Sequence, residues 1–75
     1  MRIREVMTQG VVTAETSDSL RRIGELMRDR NVGSVVVCEH GRPVGVITDR
    51  DLALVVVADT VDPGERVGSH ASRPL

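Results

Sequence analysis

The sequence predicts a small α+β domain built in the order strand, helix, two-stranded hairpin, helix. Three observations carry that prediction. Leu20, Ile23, Leu26 and Met27 recur at helical spacing, two valine-rich segments at residues 34–38 and 43–47 flank a short polar loop, and Thr48 precedes acidic residues and a second apolar run. At 75 residues the chain is one domain, able to bury only about 60% of the surface its unfolded form exposes. So small a core is marginal on its own, and with a single cysteine, Cys38, there is no internal disulfide to reinforce it. Oligomerisation is the remaining support.

Val11, Val12 and Thr13 are β-branched and follow Gly10, so a short strand is expected there, entering from a turn. Thr16, Ser17, Asp18 and Ser19 offer N-cap oxygens immediately before Leu20. In the helix that follows, Arg21, Arg22, Glu25, Arg28 and Asp29 lie opposite the apolar face. Gly24 inside it costs about 1 kcal/mol relative to Ala, and marks either a close neighbour or a tolerated defect. Asn31, Val32 and Gly33 stop the helix, because Asn or Gly accepts the left-handed conformation that closes a C-terminus.

Residues 34–38 and 43–47 then form two strands joined by Glu39, His40, Gly41 and Arg42, a polar loop of hairpin length. The first strand is apolar on both faces and is expected at the centre of the sheet, covered by helices on at least one side. Thr48 caps the second helix, with Asp49 and Asp51 in the first turn, where the macrodipole favours negative charge. Residues 52–58 follow without a polar side chain. Three consecutive valines are mediocre helix formers, and the run alone is compatible with a buried strand; the cap at Thr48 decides for a helix. Such a helix needs cover on more than one side, which this chain cannot supply, so it is expected to form a subunit or repeat interface.

Composition excludes several functions. All ten basic residues are Arg, and the absence of Lys excludes a Walker-type phosphate loop and Schiff-base chemistry. The chain has no Phe, Tyr or Trp, hence no stacking platform for single-stranded nucleic acid, and a net charge of -1 gives no strong attraction for duplex phosphates. The longest apolar stretch is far too short to span a bilayer, and the N-terminus lacks the apolar core of a signal peptide. A cytoplasmic home with Cys38 reduced is the expectation.

Asp62, Pro63 and Gly64 make a turn, and the tail beyond them echoes the start of the chain. Ile3, Met7, Thr8, Gly10 and Val11 correspond to Val67, Ala71, Ser72, Pro74 and Leu75 at a constant offset of 64 residues, which suggests the opening of a second repeat. Val6, Met7 and Thr8, the pairs Ser19-Leu20 and Leu26-Met27, the segment from Val32 to Val37, and the segment from Gly41 to Leu52 together resemble the CBS domain, the cystathionine-beta-synthase-type regulatory module. The resemblance covers residues 1–59, and leaves 60–75 as a linker and the start of a second motif. It implies a β-α-β-β-α unit, a small sheet packed on two helices, that works as a pair about a pseudo-twofold axis. It also implies adenosine-containing ligands (AMP, ATP or S-adenosylmethionine) in the clefts of the pair. The abrupt stop at Leu75 raises the expectation of a fragment of a longer two-motif chain.

The family's ligand motif runs glycine, hydrophobic, any residue, Ser or Thr, any residue, often Ser or Thr, then Asp; here it reads Gly45, Val46, Ile47, Thr48, Asp49, Arg50, Asp51. Carried over, Asp51 accepts hydrogen bonds from ribose hydroxyls and Thr48 bonds the ribose or a phosphate. A carboxylate suits the ribose because its two oxygens take both donors. The resemblance also places Val12, Val32, Gly33 and Val46 along an adenine slot, which they would line by aliphatic packing and backbone hydrogen bonds, in agreement with the lack of aromatic residues. Arg50 departs from the stricter motif, standing where a second hydroxyl is usual. Near a helix N-terminus it is positioned to hold a phosphate or to pair with Asp49 or Asp51.

Simpler readings exist for each of these features. Thr48 and Asp51 are spaced as a capping box, which needs no ligand. Cys38, His40 and His70 lack the paired spacing of a metal site, so a small buried thiol and a solvent-facing His40 are expected, with no metal. Met7 and Met27 are expected as core filler. Asp49 and Asp51 sit where a helix N-terminus lowers carboxyl pKa values, the wrong direction for a general acid, and no catalytic residue is assigned. The expected function is a non-enzymatic regulatory unit. It pairs as a homodimer through the 52–58 helix, senses an adenine nucleotide, and engages neither nucleic acid nor membrane. A ligand signals by preferring the closed pair over an open one. The alternative is a structural dimerisation or protein-interaction module with an empty cleft.

Overall fold

Residues 11–74 are described by the computed structural model of the chain. The expectations attached to Ile3, Met7, Thr8, Gly10 and Leu75 lie outside that range. Three strands and two helices follow in the predicted order: β1 (Thr13–Glu15), α1 (Leu20–Arg30), β2 (Ser34–Glu39), β3 (Arg42–Thr48) and α2 (Asp49–Ala53), the last continued by a π-helical turn over Leu54–Ala58. The sheet order is β1-β2-β3, with β2 central as its two-sided apolar character requires. β1 and β2 pair in parallel, Thr13 opposite Val36, across the crossover that α1 supplies; β2 and β3 pair antiparallel, Val36 opposite Val46.

Two boundaries differ from the sequence expectation. β1 begins at Thr13, not Val11, because its pairing with β2 begins there; Val12 contributes only its carbonyl, which accepts from the Val36 N–H at 3.0 Å. The hairpin turn shrinks from four residues to two. His40 and Gly41 both take positive φ, 52° and 78°, the backbone of a type I′ turn whose twist matches the flanking strands. Glu39 and Arg42 thereby join the ladder as its last pair.

α1 is closed at both ends as its flanking residues foretell. Ser19 Oγ accepts from the Arg22 N–H at 3.0 Å, and Asn31 (φ 53°) donates its N–H to the Met27 carbonyl in the left-handed cap. Leu20, Ile23 and Met27 turn inward onto Val35, Val37 and Ile47, the sheet face that also carries Ala14. Each large side chain removed from water here stabilises by about 1.5–3 kcal/mol. Cys38, the next residue along β2 after Val37, is buried too, at 3% exposure, and between the two the pairing with β3 shifts register, leaving Val44 without a partner. The thiol is pushed up from its ordinary pKa first by burial and then by the Glu15 carboxylate.

Residues 63–72 do not trail away from this unit. Val67 is completely buried within the same core, at the start of a 3-10 turn over Val67–Ser69, and Ser72 forms an antiparallel bridge with Val46 on the free edge of β3.

Candidate functional site

The parallel pairing of β1 with β2 and the antiparallel return of β3 bring the start of β1, the start of β2 and the end of β3 to one end of the sheet. Val12, Val32, Gly33, Val46, Thr48, Arg50 and Asp51 come from those three places. Ser34, next to Gly33, pairs with Thr48, and the Gly33 carbonyl accepts the Asp49 N–H at 2.9 Å, tying the loop after α1 to the first turn of α2. That contact leaves little room: a Cβ on Gly33 would stand 3.2 Å from Asp49 Oδ2. Val12, Val32, Val46, Thr48 and Asp51 are half-buried, whereas Gly33 and Arg50 are exposed.

At the centre of this end is a complete capping box. Thr48 Oγ1 accepts from the Asp51 N–H at 3.1 Å, and Asp51 Oδ2 accepts from the Thr48 N–H at 3.0 Å. These bonds hold the Asp51 carboxyl below the usual carboxylate range, the Thr48 backbone N–H contributing most and the Thr48 side chain next. Asp51 is therefore ionised at neutral pH, and its Oδ1 stands outside the cap. The Arg50 N–H turns back to Asp49 Oδ1 at 2.8 Å. The capping box that the spacing of Thr48 and Asp51 predicts is thus formed, and it is compatible with a ligand role for the same two residues.

Sequence reasoning missed Ser72 here. Its backbone engages both polar groups of Val46, donating to the Val46 carbonyl at 2.9 Å and accepting from the Val46 N–H at 3.1 Å. Val46 offers this end of the sheet its side chain, not its backbone. Nothing in the identity of an exposed serine signals such a bridge, because only main-chain atoms take part.

A second feature lies elsewhere. An apolar groove of about 310 Å³ runs between α1 and α2, lined chiefly by Leu20, Gly24, Leu52, Val56, Val57 and Pro63. It includes none of the seven residues assigned to the adenosine site. Leu54 and Val57 are the exposed large hydrophobic residues of the described chain, at 47% and 76% exposure, and no residue of α2 or of the π-helical turn is buried. Cys38 and His40 part company, the thiol in the core and the imidazole on the exposed turn, and no group of metal-ligating side chains forms among the described residues. Nor is any helix of the described residues long and apolar enough to cross a membrane.

These features define an α+β module of the β-α-β-β-α type, with a capped helix at one end of its sheet and an open helical face. The chain belongs to the CBS domain family, whose sequence profile matches residues 3–58. It is 35% identical over 73 residues to the CBS domain-containing protein YhcV of Bacillus subtilis, a match spanning 97% of this chain and 52% of that one. An uncharacterised conserved protein from Pyrococcus horikoshii superposes with a TM-score of 0.81 at 27% identity, covering 87% of this chain and 50% of that one. A CBS domain protein from Pyrobaculum aerophilum, solved in complex with AMP, superposes with a TM-score of 0.77 at 25% identity, covering 87% and 51%. The chain spans about half or less of the length of these curated relatives.

Proposed function

We propose that the chain is a non-catalytic regulatory module that binds an adenosine-containing ligand at the sheet end carrying Thr48 and Asp51, in a cleft completed by a second CBS motif. The observation that carries this reading is the ionised Asp51 carboxylate, fixed by its cap with Oδ1 outside it, on a helix whose first residue, Asp49, is bonded to the Gly33 carbonyl of the preceding loop. A carboxylate so held is ready to accept ribose hydroxyls without reorganising. Val12, Val32 and Val46 supply the aliphatic walls for adenine, and Arg50, exposed at the first turn of α2, reaches toward a phosphate. The AMP complex of the Pyrobaculum relative supports the class of ligand. ATP and S-adenosylmethionine share the same ribose.

The open helical face supports self-association. Two copies pairing through residues 52–58 cover Leu54 and Val57 and generate two equivalent clefts. A purely structural dimerisation module is the second reading, and the observation favouring it is the capping box, which satisfies Thr48 and Asp51 with no ligand.

Calorimetric titration with AMP, ATP and S-adenosylmethionine, on a sample whose oligomeric state is set by sedimentation, separates the two. The regulatory reading expects saturable binding of at least one ligand that Asp51→Asn removes, since the amide keeps a carbonyl for the Thr48 N–H but loses the charge. No heat with any of the three from a proven dimer overturns it in favour of the structural module.

A further inference from the structure

The family match ends at residue 58, yet residues 63–72 are sewn to the motif on two sides. On one side the strap closes the start of α1: the Leu20 and Arg21 N–H groups donate to the Glu65 and Pro63 carbonyls, both at 2.9 Å, donors that a helix start otherwise leaves to solvent. The Val67 and Gly68 N–H groups return bonds to the Asp18 and Thr16 carbonyls at 2.8 and 3.0 Å, and the Val67 side chain fills the core beneath them. On the other side, Ser72 and Val46 exchange their two bonds along β3. The strap is braced by the residue after it, Arg73, whose Nη2 donates to the Gly68 carbonyl at 2.9 Å, and within itself by His70 Nε2 on Glu65 Oε1 at 3.0 Å.

Both seams depend on a missing side chain. A Cβ on Gly45 of β3 would meet the Ser72 carbonyl oxygen at 2.6 Å, and a Cβ on Gly68 of the strap would meet Thr16 Cβ at 2.8 Å. One glycine belongs to the body and one to the strap, so each partner is shaped to the other.

We infer that residues 63–72 are a positioning element for the adenosine site: by pairing with Val46 they clamp the outer edge of β3 two residues before Thr48, and so hold Thr48 and Asp51 in register with the Val32 and Gly33 loop. This rests on the nucleotide-binding reading above. Without the strap, Val46 lies on an unpaired edge strand whose end is free to fray. A frayed end lowers the fraction of molecules competent to bind, and the apparent affinity falls by that fraction. The functional unit on this view extends to Ser72, past the family boundary.

The test uses the full chain and three variants. Gly45→Ala pushes the strap off β3 from the body side, Ser72→Pro removes the donor from the strap side, and Val67→Ala weakens the core without touching the β3 seam. AMP affinity by calorimetry is compared with amide exchange at Val46 and with thermal stability, at a temperature where every variant used is folded by circular dichroism. The expected result is fast exchange at Val46 and about a tenfold weaker AMP affinity in Gly45→Ala and Ser72→Pro, with Val67→Ala losing stability but keeping its affinity. If Gly45→Ala does not fold, Ser72→Pro against Val67→Ala decides. Fast exchange at Val46 with unchanged affinity overturns the inference while leaving the nucleotide reading intact. An unmodified chain, proven to be a dimer, that takes up none of AMP, ATP and S-adenosylmethionine overturns both, and is recognised by the absence of heat before any variant is made; where ATP or S-adenosylmethionine is the ligand taken up, it replaces AMP in the comparison of variants.

Discussion

The two helices are of similar length once the π-helical turn is counted, yet they have opposite fates. α1 is amphipathic, buries Leu20, Ile23 and Met27, and has its ends closed by Ser19, Asn31 and the carbonyls of Pro63 and Glu65. α2 and the π-helical turn after it carry the more apolar run, yet only Leu52, Val55 and Val56 pack against the core, each part-buried; the last turn widens to π geometry through the three valines, and Val57 is left 76% exposed. The difference separates a helix whose apolar face the chain covers by itself from one whose outer face it leaves exposed. A helix completed internally alternates polar and apolar residues, whereas a run apolar on more than one face cannot bury all of it against a single core.

That contrast predicts a descending series of effects. Ile23→Ala, in the fully buried face of α1, costs about 2–5 kcal/mol and is read by urea denaturation; a loss below 1 kcal/mol would mean that α1 is not the internally completed helix. Thr48→Ala removes the cap of α2 and costs about 0.5–2 kcal/mol in the same assay.

Acid titration sharpens the same point. The Asp51 carboxyl is depressed below 3.8 in the folded chain, so its stabilisation is present above 3.8 and is lost as pH falls through the lower native value. Asp51→Asn is expected to flatten that part of the stability profile, and an unaltered acid limb would break the assignment. Gly24→Ala tests the gap between the helices. The added Cβ meets Leu52 Cδ2 at 3.5 Å, an ordinary contact, so the variant is expected to gain up to about 1 kcal/mol from helix propensity. Smallest in stability is Val57→Asp, within about 0.5 kcal/mol for the isolated chain, yet it is expected to abolish self-association by sedimentation.

Much of this was legible in the sequence because local chemistry left a side-chain signature. Thr48 and Asp51 could be paired as a box from their spacing, Asn31 marked the end of α1, and the valine runs set β2 at the centre. The strap left no such mark. Its bonds to Thr16, Asp18, Leu20, Arg21 and Val46 are all main chain to main chain, and its one core residue, Val67, is a lone valine in a polar tail. The displaced start of β1 has a related cause: Val11 and Val12 prefer extended backbone as much as Thr13 does, and only the register with β2 selects among them. Gathering the assigned adenosine-site residues at one sheet end is likewise a product of topology, which no single stretch of sequence displays.

Cys38 gives the molecule a clock. Its thiol is buried next to Val37, and its carbonyl accepts from the Thr16 N–H at 2.8 Å, so a reagent meets the sulfur only when the structure around it opens. With no other cysteine in the chain, the rate of thiol labelling times the opening of that one place. A ligand or a partner that tightens the sheet slows the clock, and one that binds without tightening it leaves the rate unchanged.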